Sequence, residues 1–173
     1  TPVIAGLHVH TFAAYAALSG QVPVVGIAHG RCFAGNAALL GCSDVIIATR
    51  SSTIGMGGPA MIEGGGLGVF KPEEVGPTSV QHPNGVIDIL VDDETQAVAA
   101  ARHYLSFFQG RVSEWQAPDA RQLRHVVPEN RLRAYDTRTA MTGLVDEGSL
   151  LMLRTGFGKG IHTALARIEG RPV

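Results

Sequence analysis

Cysteine is scarce in this sequence, with Cys32 and Cys42 the only two. A disulfide framework shows more cysteines at tighter density. No CxxC spacing occurs, so a zinc site is unsupported. Both thiols read as buried groups in a reducing compartment. Charge is also thin: 17% of residues carry it, and the formal net charge is −1. No basic run or stripe stands out, which argues against nucleic acid as a partner. Long apolar runs are missing as well. Gly, Ser, His or Asp breaks each one, so none can span a bilayer and no membrane partner is expected. No internal repeat or low-complexity tract is present. What remains is a globular balance, 45% hydrophobic over 173 residues, which suits one domain or one domain and the start of another. Glycine runs the other way, at 22 residues, and needs a structural reason. The chain starts at Thr1 with no basic segment ahead of an apolar stretch, unlike a signal peptide. It stops at Arg171-Pro172-Val173, which reads as the opening of a strand. Both ends are expected to be cuts through a longer protein.

Periodicity orders the elements. Leu7 to Leu18 suits a helix closed by Ser19-Gly20. Val22 to Ala28 is a valine-rich run expected to form a buried strand. Gly30 to Gly35 reads as a turn, Asn36 to Cys42 as a short helix, and Asp44 to Thr49 as a second buried strand. Residues 54–68 form a glycine-dense loop, and Val86 to Val91 a third strand. Asp93 and Gln96 resemble a capping box. The helix they open carries Val98, Ala101, Leu105 and Phe108 on one face and ends at Gly110. Residues 111–134, charged and holding two prolines, read as a linker. Asp136 then caps a short helix through Val145. Ile161 to Ile168 is strand-like, and Glu169-Gly170 is a two-residue hairpin turn.

Chemistry concentrates at the turn Gly30 to Gly35. It joins a buried strand to a helix, so the free N–H groups of the helix's first turn point out of the sheet. With the helix dipole they can stabilise a developing oxyanion, and Gly35 lets a ligand approach the backbone. A tight turn that merely needs small residues accounts for the same pattern. The glycine-dense loop lacks GxxxxGK[ST], so it is not a phosphate loop. It is either a flexible wall of a pocket or an irregular surface loop. His8 and His10 would lie about 200 degrees apart on a helix, which excludes a shared metal. His29 abuts the turn, as a hydrogen-bonded structural group or as an acid or base. Ser51 and Ser52 lack a nucleophile-elbow context. Arg31 is a solvated side chain by default, or a contact for a phosphate group.

Three ordered blocks carry a resemblance. GRCFAGNAALLGCSD (Gly30 to Asp44) matches the crotonase-superfamily pattern of a glycine, a small-residue pair at a helix start and an aspartate at the next strand. GGPAMIEGGGLGVFKPEEVGP (Gly57 to Pro77) and HVVPENRLRAYDTRTAMTGLVDEGSL (His125 to Leu150) narrow it. Together they resemble the carboxyltransferase subunits of biotin-dependent acyl-CoA carboxylases, over most of the chain.

That resemblance implies an α/β, crotonase-like β-β-α spiral, incomplete here, with the start of a second such subdomain. Residues 1–110 would be the later part of the amino-terminal subdomain on the acyl-CoA side, 111–134 the linker, and 135–173 the beginning of the carboxyl-terminal subdomain. The implied reaction carries a carboxyl group from N-carboxybiotin to the α-carbon of an acyl-CoA of the acetyl, propionyl or methylcrotonyl type. The alternatives are a biotin-dependent decarboxylase subunit of the same fold, and a non-catalytic acyl-CoA-binding or assembly module. The backbone oxyanion pair falls on Ala34 and Gly35, and Gly57, Gly58, Gly64 and Gly65 would line the substrate pocket. Hydratases of the superfamily place a glutamate where this chain has Ala38, which favours a reaction whose base is the biotin ureido nitrogen. The implied cofactors are biotin, carried by a partner domain or subunit, and coenzyme A as part of the substrate, with no metal. Implied partners are biotin carboxylase and biotin carboxyl carrier modules and further copies of the chain in a dimer-based ring. The implied location is the cytoplasm, or the mitochondrial matrix in a eukaryote. The chain alone is expected to be inactive.

Overall fold

Three short strands with no polar face build the core. The computed structural model describes residues 10–130 and 132–173. After a short helix, α1 (Thr11–Ala16), the chain enters β1 (Val25–Ala28). Then follow β2 (Arg31–Phe33), α2 (Gly35–Leu40), β3 (Val45–Thr49), β4 (Thr53–Gly55), α3 (Pro59–Gly64) and α4 (Thr78–Gln81). The first body closes with β5 (Ile89–Val91) and α5 (Glu94–Ser106). A parallel sheet runs in the order β1-β3-β5, and β3 is buried along its whole length. Alternation assigns its side chains. Ile46 and Ala48 join Ala28, Leu40, Ile54 and Ile87 on one side. Val45 and Ile47 meet Ala97, Ala101 and Tyr104 of α5 on the other. Both faces of the sheet are thus covered, as parallel sheets require. Each fully buried branched side chain, such as Ile47 or Ile87, contributes about 1.5–3 kcal/mol.

The remainder folds back onto this body. α6 (Thr137–Leu144) is followed by two hairpins, β6 (Leu151–Leu153) with β7 (Thr163–Leu165), and β8 (Arg167–Ile168) with β9 (Arg171–Pro172). Leu151, Leu153 and Leu165 pack against the α5 side of the core. Asp88 fixes the contact: its Oδ2 accepts from Ile46 N at 2.7 Å, and its Oδ1 from Arg154 Nε at 2.7 Å.

Several elements differ from the expectation. The early part of the first helix, with His8, lies outside the described residues, and the described part runs from Thr11 to Ala16. The first and third strands start later, at Val25 and Ile89. The turn 30–35 contains a strand, β2, because it pairs in parallel with β4. The glycine-dense loop contains β4 and a helix, α3, opened by Pro59 at its first position. The linker holds a 3-10 segment, Ala120–His125. The inward face of α5 carries Ala97, Ala101 and Tyr104, while Val98 and Phe108 stand 47% and 50% exposed. Alanines on that face let the helix lie close to the sheet, and the wide apolar stripe concealed which side would win. The Glu169-Gly170 turn forms as expected, with φ 51 and 75 at its two central residues, the signature of a type I′ hairpin.

Candidate active site

Gly30, at φ +86, swings the chain out of the main sheet into β2. Thr53 N donates to Gly30 O at 3.0 Å, and the β2–β4 pairing runs Arg31↔Thr53, Cys32↔Ile54, Phe33↔Gly55. The ladder continues one step further, because Ala34 N donates to Gly55 O at 3.2 Å. The Ala34 N–H is therefore not a free oxyanion donor, as the sequence had suggested; strand pairing uses it. Ala34 adopts φ 52 and ψ −125, a region that non-glycine residues rarely occupy. Directly after it, exposed Gly35 opens α2. Among the described residues no acceptor takes the Gly35 N–H. From α1, Phe12 roofs this point: a Cβ at Gly35 would lie 3.2 Å from the end of its ring. No sequence signal marked that contact.

The four pocket glycines separate. Gly57 and Gly58 follow β4, and a Cβ at Gly58 would lie 3.5 Å from the Phe33 ring, one residue before Ala34. Gly64 and Gly65 sit at the far end of α3, about 8 Å away along six residues of helix. Gly58 thus meets the Phe33 side chain of β2, a Cβ at Gly57 would lie 3.5 Å from Met61 Sδ, and Gly64 and Gly65 stand at the other end of α3.

Neither Asp88 nor Glu63 stands ready as a base. Asp88 is engaged by Ile46 and Arg154, and Glu63 is exposed on α3. Arg31 is not a free cation, since its Nη2 meets Glu73 Oε1 at 2.5 Å. The Glu73 backbone and this guanidinium hold the carboxyl below its ordinary range. Burial pushes the Cys32 thiol up, which suits an inert group. His29 Nδ1 lies 3.1 Å from Thr49 Oγ1, and its Nε2 lies 3.9 Å from Glu94 Oε2. Sequence adjacency misled on His29: the three residues of β2, spanning about 10 Å, separate it from Gly35. Among the described residues no group of three or more His, Cys, Asp or Glu could hold a metal ion. No helix there is long and apolar enough to cross a membrane.

The profile of the carboxyl transferase domain matches residues 4–173. The chain belongs to the carboxyl transferase domain family. It is 30% identical over 172 residues to the methylmalonyl-CoA carboxyltransferase 12S subunit of Propionibacterium freudenreichii subsp. shermanii, covering 94% of this chain and 33% of that one. The propionyl-CoA carboxylase carboxyltransferase subunit of Haloferax mediterranei is also 30% identical, over 90% of this chain and 32% of its own length. Among solved structures, a single-chain, multi-domain long-chain acyl-CoA carboxylase superposes with a TM-score of 0.93 at 60% identity, over 98% of this chain and 17% of that one. The transcarboxylase 12S structure, described as a hexamer with hydrolysed methylmalonyl-CoA bound, gives 0.79 at 29% identity, over 94% of this chain and 33% of that one. This carboxyl transferase chain has their crotonase-like α/β fold, and spans about a third of the curated relatives' length.

Proposed function

We propose that this chain supplies the acyl-CoA side of an enzyme that moves a carboxyl group from N-carboxybiotin to the α-carbon of an acyl-CoA. The observation that carries this reading is the Gly35 N–H, an exposed donor without an acceptor among the described residues, in a chain of the carboxyl transferase family. A thioester oxygen placed there gains charge as the α-proton leaves, and a preorganised donor stabilises that charge. In this reading Gly57 and Gly58 would wall the same pocket, to which the exposed Met56 and Met61 would offer apolar surface. Gly64 and Gly65 would line only a more distant part of the pocket. Among the described residues neither Asp88 nor Glu63 is placed as a base, which fits a reaction whose base arrives with its cofactor. Biotin, when bound, supplies the carboxyl group and, at its ureido nitrogen, the acceptor for the α-proton.

The 60% identity to a single-chain, multi-domain long-chain acyl-CoA carboxylase favours a long acyl chain and a multi-domain parent protein; biotin carboxylase and biotin carrier modules are the partners this reading calls for. The 12S hexamer favours assembly of several copies. Residues 1–110, 111–134 and 135–173 are proposed as the acyl-CoA subdomain, the linker and the opening of the second subdomain. In that arrangement the chain alone would not turn over.

The test is an assay of the full-length protein with carboxybiotin and acyl-CoAs of rising chain length. Transfer should be fastest with long chains. Gly35→Val keeps the N–H but puts a branched side chain in the way of the thioester oxygen, and should lower kcat by about a hundredfold or more, as losing one oxyanion donor does. Wild-type kcat in a folded Gly35→Val enzyme would refute the placement. Acyl-CoA binding with no transfer in either direction would leave a binding module.

A further inference from the structure

The hydroxyls at the end of β3 form a relay whose proton count closes. Ser52 Oγ lies 2.8 Å from the Ala28 carbonyl, which can only accept, so the single Ser52 proton goes there. Thr49 Oγ1, 3.0 Å from Ser52 Oγ, must then donate to it, which leaves the 3.3 Å contact to Ser51 Oγ one in which Ser51 donates. With the Thr49 proton committed, the 3.1 Å contact to His29 Nδ1 needs its proton on the imidazole. His29 is thereby held as the Nδ1–H tautomer. Thr49 and Ser52 are 0% and 1% exposed, so water does not substitute for these bonds.

The relay is the first rung of a longer ladder. Gly30 O accepts from Thr53 N, Arg31 to Phe33 pair with Thr53 to Gly55, and Ala34 N donates to Gly55 O. The path from Ala28 to Ala34 is thus tied step by step to Ser52 through Gly55, and the next residue presents the unpaired N–H. We propose that His29, Thr49 and Ser52 are positioning residues for the Gly35 donor. Gly76 and Gln81 hold β4 at Ile54, and the side-chain anchor fixes the other end, where the two three-residue strands leave the main sheet. His29 acts through Thr49 and does not exchange protons with substrate. The inference rests on the reading of Gly35 given above.

Four variants of the full-length enzyme test it. Thr49→Val keeps the side-chain shape and removes the hydroxyl, whereas Thr49→Ser keeps the hydroxyl and removes a methyl. Thr49→Val should lower kcat roughly tenfold with KM for acyl-CoA nearly unchanged, as a small misplacement of a catalytic donor does. Thr49→Ser should recover most of that loss while melting at lower temperature. His29→Asn, whose amide N–H can stand in for Nδ1–H, should outperform His29→Gln; this exposed pair decides the matter should Thr49→Val not fold. A second readout is the isotope-edited infrared band of the bound thioester carbonyl, without a carboxyl donor. Its red shift should shrink in Thr49→Val and in His29→Gln. Wild-type kcat and band position in both, or kcat that simply follows melting temperature across the series, overturns the positioning role. An unchanged band and kcat in folded Gly35→Val would instead place the error in the reading of Gly35, and the inference falls with it.

Discussion

A Cβ at Gly76 would lie 1.9 Å from the Ile54 carbonyl oxygen, and the residue sits at φ +61. Ile54 N in turn donates to Gly76 O at 2.8 Å. Glycine here sets the height of β4, and through β4 the Ala34–Gly55 bond. Gly76→Ala should therefore cost about 2 kcal/mol or more, from left-handed strain and a backbone clash together. Thermal unfolding of the full-length protein checks this, and kcat should fall with it because β4 must move. Gly35 differs: its backbone is not left-handed, and only the Phe12 ring opposes a Cβ, at 3.2 Å. A count of 22 glycines signals unusual backbone but does not rank positions. The place of Gly35 was legible, because a strand, small residues and a helix stand in order around it. The engaged Ala34 donor was not, because it depends on pairing between strands about twenty residues apart.

α5 shows which local signals survive folding. Asp93 caps it, accepting from Gln96 N at 2.8 Å, while Gln96 Oε1 accepts from Asp92 N at 3.1 Å. The box was readable because both bonds span four residues or fewer. Its reach to Asp92, one residue before the cap, was not. Asp93→Ala should cost about 1 kcal/mol, measured as a lower denaturation midpoint with an unchanged slope. An unchanged midpoint would mean that packing on Val45 and Ile47 alone sets the start of the helix. The rotated apolar face marks the other side of the same limit. Periodicity gave a helix, but Ala97 and Ala101 face the sheet, and Val98 does not, through tertiary contact alone.

Besides the Arg154–Asp88 pair, the last thirty residues meet the end of α5 through carbonyl groups and the guanidinium of Arg167. Arg167, 7% exposed, donates to Ser106 O at 2.6 Å, Gly110 O at 2.8 Å and Gly170 O at 2.8 Å. Its carbon lies 5.3 Å from the Phe107 ring centre. Among the described residues it forms no ion pair. Its charge is spread over carbonyls at the end of α5, where a helix dipole favours a cation. Asp146 performs the matching task, accepting from Glu169 N and Gly170 N at 2.9 and 2.7 Å. Nothing in the sequence set Arg167 apart from the other arginines, because all three partners are backbone atoms and two of them lie about sixty residues away. Arg167→Met keeps much of the bulk and removes every donor, leaving up to three carbonyls without their partner. It should cost about 3 kcal/mol. The loss should be local: amide exchange should quicken from 106 to 112 and from 167 to 173, while β1 and β3 keep their protection. The β6–β7 hairpin should stay docked, since Leu151, Leu153 and the Arg154–Asp88 pair hold it independently. Faster exchange across β1 and β3 as well would show instead that Arg167 supports the whole core, and that the final hairpin cannot open alone.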